Sequence, residues 1–174
     1  MQTQPVQAAG TPRLGHYKID ARRSAVTFAT RHLFGLLPVH GAVTIASGTV
    51  DVTEPLTASC IHAEIEAASF RTRNPQRDAS VRSARLLDAR RHPVITFDAE
   101  RLDGSVVTGV LAVRGVTQPV RLSVESVAPG AASSGSFIAL ASARIDRSEF
   151  GITAFRGLAG RYLDMSLEIW CVRP

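Results

Sequence analysis

A nine-residue stretch near the C-terminus, LDMSLEIWC at residues 163–171, alternates apolar and polar side chains. Its odd-numbered positions hold Leu, Met, Leu, Ile and Cys, whereas Asp164, Ser166 and Glu168 stand between them. Successive side chains of a β-strand point to opposite faces, so this alternation predicts a strand with one buried face and one wet face.

The same alternation recurs along most of the chain. Clear repeats occupy residues 95–99 and 120–124, and further runs lie near residues 16–20, 24–31, 39–46, 57–68, 105–114 and 136–146. The sequence therefore predicts about nine strands. Many short strands at even spacing are typical of a sandwich or a barrel.

Turn signals separate the strand runs. Asp103-Gly104 predicts a tight hairpin, because two-residue hairpin turns need positive φ angles. Residues 115–119 predict a second turn, and the Gly- and Ser-rich residues 128–136 predict a longer loop. Together these signals favour strands that follow one another in an antiparallel meander.

One segment, residues 76–88, departs from the period of two. Its apolar side chains recur at every third position and predict one short amphipathic helix of about three turns. These side chains are Val81, Ala84 and Leu87. Asp78 stands near the start of this helix and is expected to pair with Arg82 one turn later.

The length of 174 residues is typical of one domain, and hydrophobic residues make up 45% of it. Residues 1–15 are predicted to form a disordered tail and residues 16–174 the folded domain. The tail lacks the apolar run of a secretory signal, and no stretch approaches the ~18 apolar residues of a membrane span. We therefore expect a cytoplasmic protein.

The net charge of +5 is carried almost entirely by arginine, since Lys18 is the only lysine. This balance favours anionic partners, among them nucleic acid, a membrane surface and phosphate head groups. Cys60 and Cys171 both fall within strand runs, and we expect two buried free thiols rather than a disulfide.

Residues for metal or catalytic chemistry are scattered. His32 and His40 flank the turn at residues 33–38, but no Cys or carboxylate stands near them in sequence, so we expect no metal and no cofactor. The Gly-x-Ser-x-Gly signature of a nucleophilic serine is missing as well. The sequence therefore predicts no catalytic residues and a protein that is not an enzyme.

A cluster of arginines is the sharpest local feature. Its members are Arg71, Arg73, Arg77, Arg82, Arg85, Arg90 and Arg91. The same segment contains two acidic residues, Asp78 and Asp88. One interpretation is a solvated helix face with a few ion pairs. The other is an anion-binding mouth for a phosphate head group or a membrane surface. Nucleic acid is not an expected partner, because few aromatic residues accompany the arginines.

A series of short motifs runs in order along the chain. It includes Tyr17-Lys18-Ile19-Asp20, Arg31-His32-Leu33, Ser69-Phe70-Arg71-Thr72-Arg73-Asn74, Arg77-Asp78, His92-Pro93-Val94-Ile95-Thr96-Phe97, Arg114-Gly115-Val116-Thr117-Gln118-Pro119 and Ile145-Asp146-Arg147-Ser148-Glu149-Phe150-Gly151. From about Tyr17 to the C-terminus, the chain resembles the YceI-like family of polyisoprenoid-binding proteins. The resemblance implies a lipocalin-like antiparallel β-barrel of about eight strands around a long apolar tunnel. It also implies binding of isoprenoid chains, such as quinones, without chemistry on them.

Small residues are the direct sign of such a tunnel. Ala139, Ala141 and Ala143 occupy alternate positions of one strand, and Gly109 occupies an alternate position of another. An eight-stranded barrel either is filled by side chains or holds one small ligand. From the residues alone, large side chains opposite could equally well fill the interior. The family resemblance favours a tunnel.

The sequence thus predicts a barrel that sequesters or carries an isoprenoid lipid or quinone. The candidate ligand-binding residues are Phe28, Leu33, Phe70, Arg77, Ile95, Phe97, Leu111, Leu122, Ala141 and Leu167. Two alternatives stay open: an enzyme that acts on a small apolar substrate in the same cavity, and a packed barrel with a structural or interaction role. Further expected partners are a second copy, as a homodimer, and a membrane surface in transient contact.

Overall fold

The computed structural model describes residues 10–130 and 135–174, and within these ranges the chain forms nine strands and one α-helix. The strands are β1 (Gly15–Ile19), β2 (Ala25–His32), β3 (Leu37–Val52), β4 (Cys60–Arg71), β5 (Val94–Asp103), β6 (Val106–Val113), β7 (Val116–Pro129), β8 (Phe137–Asp146) and β9 (Tyr162–Val172). Helix α1 spans Pro75–Arg82, and short 3-10 helices span Leu56–Ala58 and Arg147–Phe150.

Consecutive strands from β2 to β9 pair antiparallel, and β9 pairs back onto β2 to close the sheet. Strand β1 lies beyond the start of β2, between the last residues of β3 and β9, where Ile19 faces Cys171. Because β1 and β2 share one position, nine strands make an eight-position closed barrel. The predicted all-β antiparallel barrel of about eight strands is confirmed.

Two tight turns join neighbouring strands through residues with positive φ angles. Between β5 and β6, Gly104 has a φ of 61°, at the position where a two-residue hairpin needs a positive angle. Between β6 and β7, Arg114 and Gly115 both have positive φ angles, of 53° and 74°. The turn predicted at residues 115–119 is wrong in extent, because β7 already begins at Val116.

The helix is shorter than the predicted three turns. The Asn74 side chain accepts a hydrogen bond from the Arg77 N–H at 3.0 Å and caps the helix start. The helix ends at Arg82, because Ser83 takes an extended conformation. The chain then turns through Asp88, whose φ is 48°. The threefold spacing of apolar residues therefore continues past the helix into a turn.

The predicted ion pair between Asp78 and Arg82 is also wrong. Asp78 accepts hydrogen bonds from the N–H and the hydroxyl of Thr72, at 2.9 and 2.7 Å. The Arg82 guanidinium reaches back to the carbonyl of Phe70 at 2.6 Å. Both side chains thus tie the helix to the end of β4.

Residues 20–24 join β1 to β2 partway along β9, within the barrel wall. The other connections fall at the two ends of the barrel. We call one the helix end; it carries residues 33–36, 72–93, 114–115 and 147–161. The opposite end carries residues 53–59, 104–105, 130 and 135–136, together with the segments 10–14 before β1 and 173–174 after β9. Residues 1–9 of the predicted tail lie outside the described residues, so that prediction stays open.

The two cysteines are both free, yet they differ in surroundings. Cys171 is buried, and burial raises the pKa of its thiol to about 12. Cys60 is exposed, so the expectation of two buried thiols is wrong for this residue. It stands at the first position of β4, on the outward side.

Candidate functional site

The barrel encloses a cavity of about 890 Å³, and all eight positions of the barrel contribute to its wall. Its volume lies within the roughly 300–1,000 Å³ of small-molecule sites. The inward side chains of β9 keep part of their surface exposed because they face this space; they include Leu163, Met165, Leu167 and Ile169. The interior is therefore hollow rather than filled by interdigitating side chains.

Small side chains on β8 help to make this space. Ala139, Ala141 and Ala143 all line the cavity, as their alternation predicted. Gly109 has a different role, since a methyl group there would lie 2.7 Å from two ring carbons of Phe97. The Phe97 ring thus occupies the place that a side chain at residue 109 would need. The alanines of β8, rather than Gly109, contribute to the open space.

An aromatic pair closes the opposite end of the barrel. Tyr17 is fully buried, and its ring meets that of Phe137 edge-on at 4.9 Å between centroids. The Tyr17 hydroxyl donates a hydrogen bond to the carbonyl of Arg13 at 2.7 Å, so the buried polar atom is satisfied. Beyond the pair lies a separate cavity of about 530 Å³, lined by residues 10–13 and 127–130 among others.

Among the residues that the structure describes, polar side chains reach the cavity only at the helix end. Among the described lining residues, seven have polar side chains with oxygen or nitrogen, namely Thr30, His32, Asn74, Gln76, Arg77, Ser80 and Arg147. All of them stand on α1, on its flanking loop, or at the ends of β2 and β8. The site is thus apolar along its depth and polar at one end, which is the distribution that suits an amphiphile with an apolar chain and a polar head.

The Arg147 guanidinium organises the long loop between β8 and β9. It donates hydrogen bonds to four loop carbonyls: those of Gly160 at 2.8 Å, Ile152 at 3.0 Å, Ala154 at 2.8 Å and Ala159 at 3.2 Å. Burial lowers its pKa, but an arginine at this site keeps its charge. Arg147 was not among the predicted site residues, although its motif was noted. A single basic residue at a strand end gives no sign that four carbonyls will surround it.

The carboxylate of Asp146 supports the same loop. It accepts hydrogen bonds from Arg161 at 2.9 Å and from the hydroxyl of Ser148 at 2.6 Å. The Arg161 guanidinium, followed by the bonds from Ser148, lowers the Asp146 pKa to about 2. This carboxylate therefore stays ionised and holds the start of the loop.

The arginine cluster divides between the two interpretations. Arg77 is half-buried and lines the cavity, with its Nε donating to the Thr72 hydroxyl at 3.0 Å. The Arg82 guanidinium donates a hydrogen bond to the Phe70 carbonyl instead. The other five members are exposed: Arg71, Arg73, Arg85, Arg90 and Arg91. One arginine thus belongs to the cavity mouth, and most of the rest form a solvated, positively charged rim.

All ten candidate ligand-binding residues lie on the cavity wall. Phe28 and Phe70 stack on each other at 4.9 Å between ring centroids, and Leu33 stands beside them at the helix end. Binding by these residues stays a prediction. The sequence did not single out several further lining residues, among them Val43, Ile45, Leu86, Phe150 and Phe155. Three of these follow the period of two or belong to a quoted motif, whereas Leu86 and Phe155 stand in turns without periodicity.

The histidines do not come together. His32 faces Leu37 and His40 faces Ala29 in the β2–β3 ladder, so they do not meet across the turn. His62 lies on the outward face of β4 and pairs with Asp98 at 2.5 Å, which raises the His62 pKa. Within residues 10–130 and 135–174, no group of three or more His, Cys, Asp or Glu could hold a metal ion.

Across the same described ranges, none of the helices has the length and apolar character needed to cross a membrane.

A closed antiparallel barrel with one hollow apolar interior and one polar end has the architecture of a lipocalin-like barrel. The model of the YceI-like domain family matches residues 17–169, and the chain belongs to this family. A UPF0312 protein of Pectobacterium carotovorum subsp. carotovorum is 29% identical over 176 residues, which cover 95% of this chain and 91% of that protein.

Solved structures share the fold. BcnA of Burkholderia cenocepacia is similar with a TM-score of 0.75 and 20% identity, over 88% of this chain and 99% of that one. A polyisoprenoid binding domain from Saccharophagus degradans, implicated in plant cell wall breakdown, is similar with a TM-score of 0.70 and 15% identity. That match covers 93% of this chain and all of the other.

Proposed function

We propose that this protein binds an isoprenoid-type lipid, with the chain in the barrel and the head at the helix end, and sequesters or carries it. The observation that carries the proposal is the one-ended distribution of polar groups around an otherwise apolar cavity. The description of the Saccharophagus degradans relative as a polyisoprenoid binding domain supports it.

The apolar wall supplies the driving force for binding. An isoprene unit has five carbons, and its transfer from water contributes on the order of 4 kcal/mol. Ordering a flexible chain and losing its free motion offset much of this gain. Since these costs grow more slowly than the buried area, ligands with several isoprene units are favoured over single-unit ones.

The head group is proposed to lie beside Arg77. This residue is the member of the arginine cluster that lines the cavity, and Asn74 and Gln76 stand next to it on the wall. A guanidinium binds a phosphate through charge-assisted hydrogen bonds, whereas a quinone carbonyl gains less from it. The site therefore favours an anionic head over a neutral one.

Binding without chemistry fits the titratable groups of the wall. These are His32, Arg77, Arg147 and Cys171, and the described lining contains no carboxylate to pair with the histidine. The Cys171 thiol, with its raised pKa of about 12, stays protonated and is a poor nucleophile. These observations disfavour the enzyme alternative, and the hollow interior argues against a packed structural barrel.

Native mass spectrometry of the purified protein tests the proposal directly. We expect a bound species of lipid mass that organic extraction releases and identifies as an isoprenoid. A protein that purifies empty and takes up neither farnesyl phosphate nor a short-chain ubiquinone contradicts the proposal.

Filling the cavity should abolish this binding. Ala141→Trp places an indole inside the barrel, while Leu140→Trp places the same group on the outer face of the same strand, where Leu140 is exposed. We expect the inner variant to lose farnesyl phosphate binding at least about a hundredfold, which corresponds to about 2.8 kcal/mol, and the outer variant to bind normally. Equal binding by both variants would place the ligand outside the barrel.

Binding of a quinone, formation of a homodimer and a cytoplasmic location stay predictions from the sequence.

A further inference from the structure

Exposed apolar side chains gather at one place beside the cavity mouth. We call this group the apolar loop pair; it consists of Leu33, Phe34, Leu36 and Leu37 in the β2–β3 turn and Leu158 in the β8–β9 loop. Phe34 is 80% exposed and Leu36 is 77% exposed. Large apolar residues exposed together, rather than singly, mark a surface that meets another apolar phase.

The structure holds these side chains in place. The N–H of Leu33 donates to the Leu158 carbonyl at 2.9 Å, and the N–H of Phe34 donates to the Gly157 carbonyl at 2.6 Å. Leu33 and Phe34 both have left-handed backbone conformations, with φ angles of 48° and 54°. Such angles are unfavourable for bulky residues and persist where surrounding contacts enforce them, often at functional sites. The outward direction of the apolar loop pair is therefore built into the fold.

Positive charge surrounds the apolar loop pair. The Arg31 guanidinium donates to the Gly35 carbonyl at 3.2 Å, and Arg85 lies over the ring of Phe155, three residues before Leu158. Arg156 is exposed within the same loop. The connections at the helix end together contain ten arginines against three acidic residues. Apolar side chains ringed by arginine are the composition of a surface that binds anionic lipid.

The apolar loop pair is continuous with the cavity. Leu33 and Leu158 belong both to the exposed group and to the cavity wall. An apolar path thus leads from the tip of the β2–β3 turn into the barrel. A second copy of the chain is a poor occupant of this surface, because a twofold contact would bring the arginine rims of both copies together.

We propose that the apolar loop pair inserts into the interface of an anionic lipid bilayer and brings the cavity mouth against it. The phenyl and leucyl side chains enter the acyl boundary, while the surrounding arginines contact the anionic head groups. Docking itself stands on the surface alone; the consequence that a lipid chain passes between bilayer and cavity rests on the proposed function.

Vesicle flotation with the full chain tests this docking. We expect binding to vesicles of equal parts phosphatidylcholine and phosphatidylglycerol, weaker binding as salt increases, and little binding to phosphatidylcholine alone. The double variant Phe34→Ser, Leu36→Ser should lower the partition coefficient at least about tenfold. A matched control, Val110→Ser with Leu140→Ser, removes two exposed apolar side chains from the barrel wall and should bind like the unchanged chain.

The outcomes separate docking from ligand binding. Thermal unfolding verifies that each variant is folded, and native mass spectrometry with farnesyl phosphate or a short-chain ubiquinone added in solution measures occupancy of the cavity. Vesicle binding without uptake of either ligand supports docking and contradicts the proposed function, whereas uptake without vesicle binding contradicts docking. Equal flotation of the double variant and the control overturns the proposal. A dimer in sedimentation that the double variant loses, without vesicle binding, assigns the surface to a second copy instead.

Discussion

The two ends of the barrel differ in the residues that stand between the interior and the solvent. At the opposite end, Tyr17 and Phe137 pack edge to face, and a backbone carbonyl satisfies the buried hydroxyl. At the helix end, the stacked rings of Phe28 and Phe70 line the cavity, and α1 and the β8–β9 loop surround the opening with polar and positively charged groups. The opposite end is thus packed as part of the core, whereas the helix end forms the mouth of the cavity.

Charge follows the same division. The connections at the helix end hold ten arginines and three acidic residues, while the described residues of the opposite end hold Arg13, Arg173 and Glu54. Strand periodicity is the same at both ends, because the strands from β3 to β9 run through both. The comparison shows that the connections, rather than the strands, make the two ends of the barrel chemically different.

The largest expected effect is at the opposite end. Tyr17→Ala removes a fully buried ring and should lower the free energy of unfolding by about 3–5 kcal/mol. Tyr17→Phe keeps the ring and loses the bond to the Arg13 carbonyl, for a loss of about 1 kcal/mol. Phe34→Ala, at the helix end, should change stability by less than about 0.5 kcal/mol because the side chain is exposed.

Urea unfolding of the three variants measures these differences. If Phe34→Ala destabilises the chain as much as Tyr17→Ala does, the two ends are equally part of the core, and the comparison between them fails.

An intermediate effect concerns ligand affinity at the helix end. Arg77→Gln should weaken farnesyl phosphate at least about tenfold, or about 1.4 kcal/mol, and leave a short-chain ubiquinone nearly unchanged. The matched control is Arg73→Gln, since Arg73 is exposed and outside the cavity wall. Arg82 is unsuitable for this test because its guanidinium holds the Phe70 carbonyl.

Titration calorimetry with both ligands measures the contrast. A similar loss for the two ligands indicates damage to the wall around Arg77, and an unchanged affinity for farnesyl phosphate places the head group elsewhere.

The smallest expected effect is a pH dependence of stability from Asp146. Its pKa is about 2 in the folded chain against an ordinary value of 3.8, mainly because Arg161 hydrogen-bonds to it. A lowered folded-state pKa means that the contribution is complete above about pH 4 and is lost as the pH falls toward about 2. Because the Arg161 side chain is 61% exposed, solvent screens the pair and the contribution is small.

Melting temperatures of the unchanged chain and of Asp146→Asn, taken from neutral pH downward, check this. The difference between them should be present at neutral pH and shrink below about pH 4. A difference that stays constant through this range would mean that the ionised carboxylate does not support the loop.

Much of the fold could be predicted because strands carry a local signal. The alternation at residues 163–171 indicates a strand with one apolar face, and the small side chains of β8 indicate a hollow interior. Eight of the ten candidate residues, all except Leu33 and Arg77, stand on strands and face the cavity for the same reason, since side-chain direction in a strand depends on parity alone.

The connections could not be predicted in the same way. The threefold spacing in residues 76–88 favoured a longer helix, yet Ser83 ends it and Arg82 binds a carbonyl from another strand. The four carbonyls around Arg147 come from residues that lie 5 to 13 positions away and have no common pattern.

The sequence by itself therefore determined strands with one apolar face each, because the period of two is a local consequence of backbone geometry, and its resemblance to the YceI-like family predicted that these strands close into a barrel. Only the tertiary structure decided which end is open, which arginine faces the cavity and which leucines face the solvent. These properties depend on hydrogen bonds between connections that are distant in sequence, such as that from Leu33 to Leu158. Such bonds form only after the strands have brought the connections to the same end of the barrel.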